Sequence, residues 1–291
     1  MTTPTAPGFP GPLRRDDIAE AAKALGAAGG GAGSAQLLSL LYDPETDVDQ
    51  VLRCLNSEPA LAARVLKVAN SPFYRQSGQV GTVERAVQVL GLSAIRGIAA
   101  AGCMDRMAMP NVGKALDPQR FRRHSTAAAA AAQALSQRCG AGVDAEAFMA
   151  GLLHDIGLVL LARLRPQALA AVAAQPAVDA ALSLRDEAEQ IGASHTACGE
   201  ILAEVWGLPG WLAKALGAHH TARPTGQRGL EALPQLLALA DHAADQAGFG
   251  LWPICALPPD PACATTLGLG ESVSREVADE LPELLQRLAL H

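Results

Sequence analysis

From Ala35 to about Gly248 the apolar residues of this chain recur at helical spacing, and no run alternates with the period of two that a strand requires. In "TDVDQVLRCLNSEP", Val48, Val51, Leu52 and Leu55 stand at i, i+3, i+4 and i+7, which is one helix face. Such a chain can fold only by laying helix faces against one another. Alanine and leucine are abundant and aromatics are only 3% of residues, so the helices must pack through small and aliphatic side chains. The expected fold is all-α, a helical bundle preceded by a further N-terminal helical block.

Breaks in the pattern divide the chain. Residues 1–34 read as a flexible N-terminal segment, rich in Pro, Gly and Thr to residue 12, with a short helix over Arg14–Leu25 and a "GAAGGGAGS" joint. A first helical subdomain spans 35–116. Thr46 reads as an N-cap there, Ser57 as another with Pro59 in the first turn, and Asn70-Ser71-Pro72 as a stop. The two aromatics of "NSPFY" pack on the bundle. "TVERAVQVLG" and "LSAIRGIAAAGCM" form two helices about Gly91, with Ser93 capping the second. A second subdomain, 117–250, carries helices near 118–138, 143–164, 166–174, 177–189, 194–206, 209–218 and 231–246. Trp206 and Trp211 flank "GLPG" and anchor a corner. Residues 251–291 close the chain with a proline-rich loop (253–268) and an amphipathic helix near 271–289.

Charge and cysteines narrow the classes. The 291 residues carry a formal net charge of −6, which argues against a broad nucleic-acid surface. None of the six cysteines stands in a C-x-x-C arrangement, so they read as reduced thiols. The opening segment has no apolar stretch of signal-peptide type. The longest apolar run, Ala147–Leu164, contains His154, Asp155 and Arg163, so no membrane span is expected and the chain reads as cytoplasmic.

The chemistry lies in the histidines. His124 in "FRRHS", His154-Asp155 in "GLLHDIG", His195 in "GASHTACGE", His219-His220 in "GAHH" and Asp241 in "LALADHAAD" fall in separate helices or at helix ends. Imidazoles and carboxylates are the usual ligands of Zn, Mn, Fe and Ni, and a bundle gathers them by pointing them inward from different helices. Any one of them alone reads as a hydrogen-bonded core or surface residue. His242 and His291 are assigned no ligand role, nor is Glu200, which lies five positions after His195 and so off its helix face.

The order H…HD…D, here His124, His154-Asp155 and Asp241, resembles the HD superfamily of metal-dependent phosphohydrolases. The closer resemblance is to the HDOD family, the HD-related output domain of bacterial signalling proteins. It rests on "SEPALAARVLKVANSPFY", "TVERAVQVLGLSAIRGIA", "FRRHSTAAAAAAQALS", "AFMAGLLHDIGLVLL", "SHTACGEILAEVWGLPGWLAKALGAHH" and "LLALADHAAD", in order over about 35–248. The resemblance implies a regulatory signalling module that acts through protein contacts with receiver, kinase or cyclic-dinucleotide proteins. It also implies a vestigial or metal-occupied site for one or two divalent ions (Fe, Mn, Zn or Ni). His124, His154, Asp155 and Asp241 would hold one ion, and His195, His219 and His220, which look like the second-metal ligands of the HD-GYP phosphodiesterases, would hold another. The chain lacks the lysine and GYP signature of that latter family. The alternative is a metal-dependent phosphohydrolase acting on a nucleotide or cyclic dinucleotide, with Asp155 catalytic and Arg122, Arg123 and Lys214 meeting the phosphate.

A third reading comes from "TVERAVQVLGLSAIRGIAAAG", which has the outline of a helix-turn-helix. Its second helix offers one arginine among small apolar side chains, which is poor equipment for reading base edges. DNA is therefore not the expected partner, and the helix pair reads as bundle packing or a docking face.

Overall fold

The computed structural model describes residues 11–28, 37–43, 45–70, 80–108, 115–174, 184–251 and 258–288. The expected aromatic packing of Phe73 and Tyr74, the Gly-rich joint and His291 fall outside them. Every element among the described residues is helical. The helices are α1 (Arg15–Ala28), α2 (Val48–Asn56), α3 (Pro59–Ala69), α4 (Val83–Leu90), α5 (Leu92–Ala108), α6 (Pro118–Cys139), α7 (Asp144–Leu153), α8 (Gly157–Leu164), α9 (Pro166–Ala173), α10 (Leu184–Gln190), α11 (His195–Val205), α12 (Gly210–Ala218), α13 (Leu233–Ala244), α14 (Pro261–Thr266) and α15 (Val273–Leu288).

Helix α6 is the axis of the bundle, packed against α7, α13 and α15. Ala127 through Ala132, six alanines in a row, are all buried on it. Their small side chains let three helices approach at once. The closest approach to α7 is at Gly151, where a Cβ would stand 2.7 Å from Ala129 Cα and 2.8 Å from the Ala128 carbonyl. Six residues on, a Cβ at Gly157 would overlap the His195 carbonyl at the start of α11. The two glycines of "GLLHDIG" therefore serve two different neighbours, one on each side of the His-Asp pair.

The run 143–164 was expected as one helix, and the structure tightens it through the pair itself. Ile156 N–H donates to Leu153 O at 2.9 Å, Leu158 N–H to Asp155 O at 2.9 Å and Val159 N–H to Ile156 O at 3.1 Å, all spanning three residues. By length and composition Asp144–Leu164 could cross a membrane, but 89% of its apolar window is buried inside this fold, as the core helix of a bundle is.

The first block, α2 to α5, joins the bundle through α5. Ile95, Ile98 and Ala99 to Ala101 are buried, and Gly97 faces the Phe148 ring of α7 so closely that a Cβ there would lie 3.0 Å from it. The helix that resembles a DNA reader in sequence thus spends its apolar face on the core. The caps differ from expectation. Asp47, not Thr46, caps α2 through a capping box with Gln50, because the carboxylate reaches the Gln50 N–H at 2.7 Å. Ser57 closes α2 rather than opening α3, and α5 starts at Leu92, directly after Gly91 (φ 81°), so Ser93 lies inside it.

Within the expected flexible segment, α1 is docked rather than free. Ile18, Ala22 and Leu25 are buried, Trp206 Nε1–H donates to Ala22 O at 2.9 Å, and Leu13 N–H donates to Gly192 O at 2.9 Å. Within the expected loop 253–268, Asp260 caps the six-residue helix α14 with Pro261 in its first turn. Helix α15 lays Val273, Val277, Leu281 and Leu285 on the bundle, and Arg138 of α6 pairs with its Glu276 and Glu280.

The two close approaches yield a prediction. Gly→Ala in a helix gains about 1 kcal/mol in propensity, but overpacking against fixed backbone costs about 1–3 kcal/mol or more. Gly151→Ala and Gly157→Ala each lower the unfolding free energy by about 2 kcal/mol in urea titrations. Gly210→Ala, where a Cβ meets nothing within 4 Å, stays within about 1 kcal/mol of the parent. A Gly157→Ala protein as stable as the parent contradicts the close-approach account.

Candidate metal centre

The bundle brings the seven sequence-predicted ligands together. His124 comes from α6, His154 and Asp155 from the tight turn between α7 and α8, His195 from the first turn of α11, His219 and His220 from the turn after α12, and Asp241 from α13. All are buried except His220, which is exposed.

Two sets meet at Asp155, and a third group, His124, Asp241 and Asp245, adjoins the first. In the first, His124 Nε2 lies 3.1 Å from His154 Nε2, 3.4 Å from Asp155 Oδ2 and 3.2 Å from Asp241 Oδ1. His154 Nε2 is 3.4 Å from Asp155 Oδ2 and 3.6 Å from Asp241 Oδ1. In the second, the other oxygen of Asp155, Oδ1, lies 3.3 Å from His195 Nε2 and 3.8 Å from His219 Nε2, and the two imidazole nitrogens are 3.4 Å apart. His220 completes this set, with one ring nitrogen within 4.8 Å of the other ligand atoms. Ligands at about 2.1 Å from one ion are about 3.0 Å apart on octahedral edges and about 3.4 Å apart on tetrahedral ones. The spacings of His124 Nε2 to His154, Asp155 and Asp241, and the tightest of the second set, are those of a coordination polyhedron's edges.

The outer nitrogens settle which way the rings face. His124 Nδ1–H donates to Phe249 O at 3.2 Å, His154 Nδ1–H to Gly151 O at 2.7 Å, His219 Nδ1–H to Leu216 O at 2.8 Å, and His195 Nδ1–H to the Glu187 carboxylate at 2.8 Å. With each proton directed outward, every Nε2 lone pair points inward. Two lone pairs 3.1 Å apart repel unless a cation or proton lies between them. This is the outer-shell arrangement that orients histidine toward a metal. His154 and His219 use the same local device, in which each ring bonds the carbonyl three residues back in its own helix's last turn.

The donor set therefore fits divalent ions. Burial pushes the His124 imidazole down, but the Asp155 and Asp241 carboxylates beside it outweigh burial and hold it at about 9. His154 is raised by the same two carboxylates against its burial, and His195 by Glu187 and Asp155. Burial favours neutral Asp155 and Asp241, yet the surrounding imidazoles hold both well below the usual carboxylate range. His219 is lowered, by burial first and by the neighbouring histidines. Protons on His124, His154 and His195 take the place of a metal's charge when the site is metal-free.

The three residues expected to meet phosphate are not in the cluster. Arg122 and Arg123 are exposed, because they stand two and one positions before His124 and so turn about 200° and 100° away from it. The Arg123 guanidinium sits over the Phe249 ring, 5.5 Å from its centre, and exposed Lys214 pairs with Glu231. Two carboxylates not assigned from the sequence do belong. Glu187, buried on α10, holds His195. Asp245, one turn after Asp241, places Oδ1 3.8 Å from His124 Nδ1. The spacing of Asp241 and Asp245, one helical turn, was the available signal for the second.

The HDOD domain family matches residues 34–222. The chain belongs to the HDOD family. Asp241 lies beyond that match, so its place in the site rests on the geometry. In structure the HDOD chain is similar to a protein from Shewanella amazonensis SB2B named as a candidate phosphohydrolase, with TM-score 0.69, 23% identity, and 94% of this chain and 97% of the other covered. It is similar to an HDOD domain protein of unknown function from Geobacter sulfurreducens, with TM-score 0.69, 21% identity, and 95% and 98% covered. It also resembles a protein from Marinobacter aquaeolei VT8 named as a candidate signal transduction protein, with TM-score 0.68, 24% identity, and 88% and 57% covered. At these identities the likenesses establish the shared fold. No curated protein matches the chain.

The charge state of the metal-free cluster has a consequence for stability. An imidazole held above its ordinary 6.5 stabilises the fold below pH 6.5 and loses that contribution as pH rises through about 9. A carboxylate held below 3.8 stabilises above that value and loses its contribution on acidification. The melting temperature of chelator-treated protein therefore falls between pH 6.5 and pH 9. Metal affinity rises over the same interval, because the ions displace those protons. A metal-free melting temperature that climbs across this range contradicts the assignment.

Proposed function

We propose that this HDOD chain is a dinuclear, metal-dependent phosphohydrolase domain working within bacterial signalling. The observation that supports the reading is the division of Asp155, with Oδ2 beside His124 and His154 and Oδ1 beside His195 and His219. His124, His154, Asp155 and Asp241 would hold the first of two ions drawn from Fe, Mn, Zn or Ni, and Asp155, His195, His219 and His220 the second. Such a pair would supply Lewis acidity and lower the pKa of water enough to make hydroxide available as the nucleophile near neutral pH.

The chain's own residues do the rest. Asp155 fixes the spacing of the two positions and balances their charge. The outward hydrogen bonds of His124, His154, His195 and His219 keep the four nitrogens in place before any ion arrives. His220 is the exposed ligand, so a phosphate ester reaches the centre from its side. Arg122, Arg123 and Lys214 are exposed, with Arg123 over the Phe249 ring and Lys214 paired with Glu231, so recognition of the phosphate falls first to the centre itself.

That last feature favours a second reading, the regulatory one, in which the ions are structural and the domain works through contacts with receiver, kinase or cyclic-dinucleotide proteins. The two readings separate by turnover. Protein loaded with Mn²⁺ or Fe²⁺ hydrolyses bis(p-nitrophenyl) phosphate, and Asp155→Ala lowers the rate by more than about 100-fold, since loss of an outer-shell partner alone costs about 10–100-fold. Full loading with two ions and no turnover of phosphomonoesters, phosphodiesters or cyclic dinucleotides removes the hydrolase reading and leaves the regulatory one.

A further inference from the structure

Of the four buried histidines in the centre, three give their outer proton to a backbone carbonyl: Phe249, Gly151 and Leu216. His195 alone gives it to a carboxylate, and that carboxylate is itself buried. Glu187 takes the His195 Nδ1–H at 2.8 Å to both oxygens and the His195 backbone N–H at 2.6 Å to Oε2. A carbonyl would have sufficed to orient the ring. Burying a full negative charge is costly unless it is compensated, so the choice of a carboxylate calls for a reason.

The reason lies in how charge is shared out. The first position has Asp241 to itself and shares Asp155. The second has three imidazoles, His195, His219 and His220, which coordinate an ion as neutral ligands, and only the shared oxygen of Asp155. A divalent ion there would face less negative charge than its neighbour. We infer that Glu187 is the positioning residue of the second position: it holds the His195 Nε2 lone pair toward Asp155 and supplies, through the imidazole, the negative charge that position otherwise lacks. This inference rests on the dinuclear reading above.

Local structure supports a dedicated role. Glu187 sits on α10, and its backbone carbonyl accepts from Ile191 N–H at 2.8 Å and Gly192 N–H at 3.2 Å where the helix ends. Gly192 has φ 102° and is pressed against residues 11–13, where a Cβ would come within 2.8 Å of Gly11 O. That turn returns the chain so that Glu187 faces His195, eight residues later. The start of α11 already has a cap, since Ser194 Oγ accepts from Ala197 N–H at 3.2 Å. Glu187 is thus not the only group available to begin that helix.

The test uses the full chain and Mn²⁺ alone as the probe, with equilibrium dialysis for affinity and electron paramagnetic resonance for the environment of the ions. The parent binds two ions and shows the signal of an exchange-coupled pair. Glu187→Gln, which keeps the side chain's size, binds the first ion as before and the second on the order of 10–100-fold more weakly. At two equivalents of Mn²⁺ its coupled signal gives way to that of an isolated ion. Glu187→Ala repeats the pattern more strongly, and should it fail to fold, Glu187→Gln decides alone. A capping carboxylate and nothing more would lower the melting temperature and leave both affinities and the coupled signal unchanged, which overturns the inference. A parent that binds only one ion overturns the dinuclear reading and this inference with it. A parent with two ions whose Glu187→Gln variant holds both equally well overturns this inference alone.

Discussion

The Asp155 carboxylate is buried between two pairs of imidazoles, and each of its oxygens faces one pair. A charge placed this deep in an alanine-lined bundle must be met by positive charge from both sides, and much of the fold is arranged to allow that. Helix α6 has to come close enough for His124 to reach it, which the alanine run and Gly151 permit. Helix α11 has to come close enough on the other side for His195, which Gly157 permits. The tight turn through His154 and Asp155 directs the two neighbouring side chains into the same centre. The glycines of "GLLHDIG" are thus as necessary to the site as its histidine and aspartate.

The regulatory reading comes from the family resemblance, and the proposed metal chemistry from the geometry of the cluster. The two meet in the outer hydrogen bonds. A vestigial cluster needs only to satisfy its polar groups, and it can do so with any mixture of ring orientations. Here all four buried rings are turned the same way, proton out and lone pair in. The residues expected to grip a substrate are not among the grouped ligands: Arg122, Arg123 and Lys214 are exposed, Arg123 over the Phe249 ring and Lys214 paired with Glu231. The cluster thus gathers groups that could hold a metal, while the basic residues expected to bind phosphate lie on exposed helix surfaces.

The helical architecture and the seven candidate ligands that the fold gathers were legible in the sequence, through 3.6-residue periodicity for the helices and a known order of histidines and aspartates for the cluster. Reasoning from order failed where orientation around a helix decides. Arg122 and Arg123 adjoin His124 in sequence and point elsewhere. Glu187 was hidden for the opposite reason. It is one of three acidic residues in "RDEAEQ", and only the turn at Gly192 singles it out by folding it back onto His195. The caps followed the same rule, with Asp47 preferred to Thr46 by one residue of register. Docking of α1 rests on Trp206, which is far along the chain and invisible to any local pattern.

The central claim is that Asp155 joins two metal positions. Anomalous diffraction from crystals grown with Mn²⁺, recorded on both sides of the manganese edge, tests it most directly. The account predicts two peaks about 3.5–4 Å apart, one bounded by His124, His154 and Asp241 and the other by His195, His219 and His220, with one oxygen of Asp155 on each. A single peak, or both Asp155 oxygens on one ion, would contradict it.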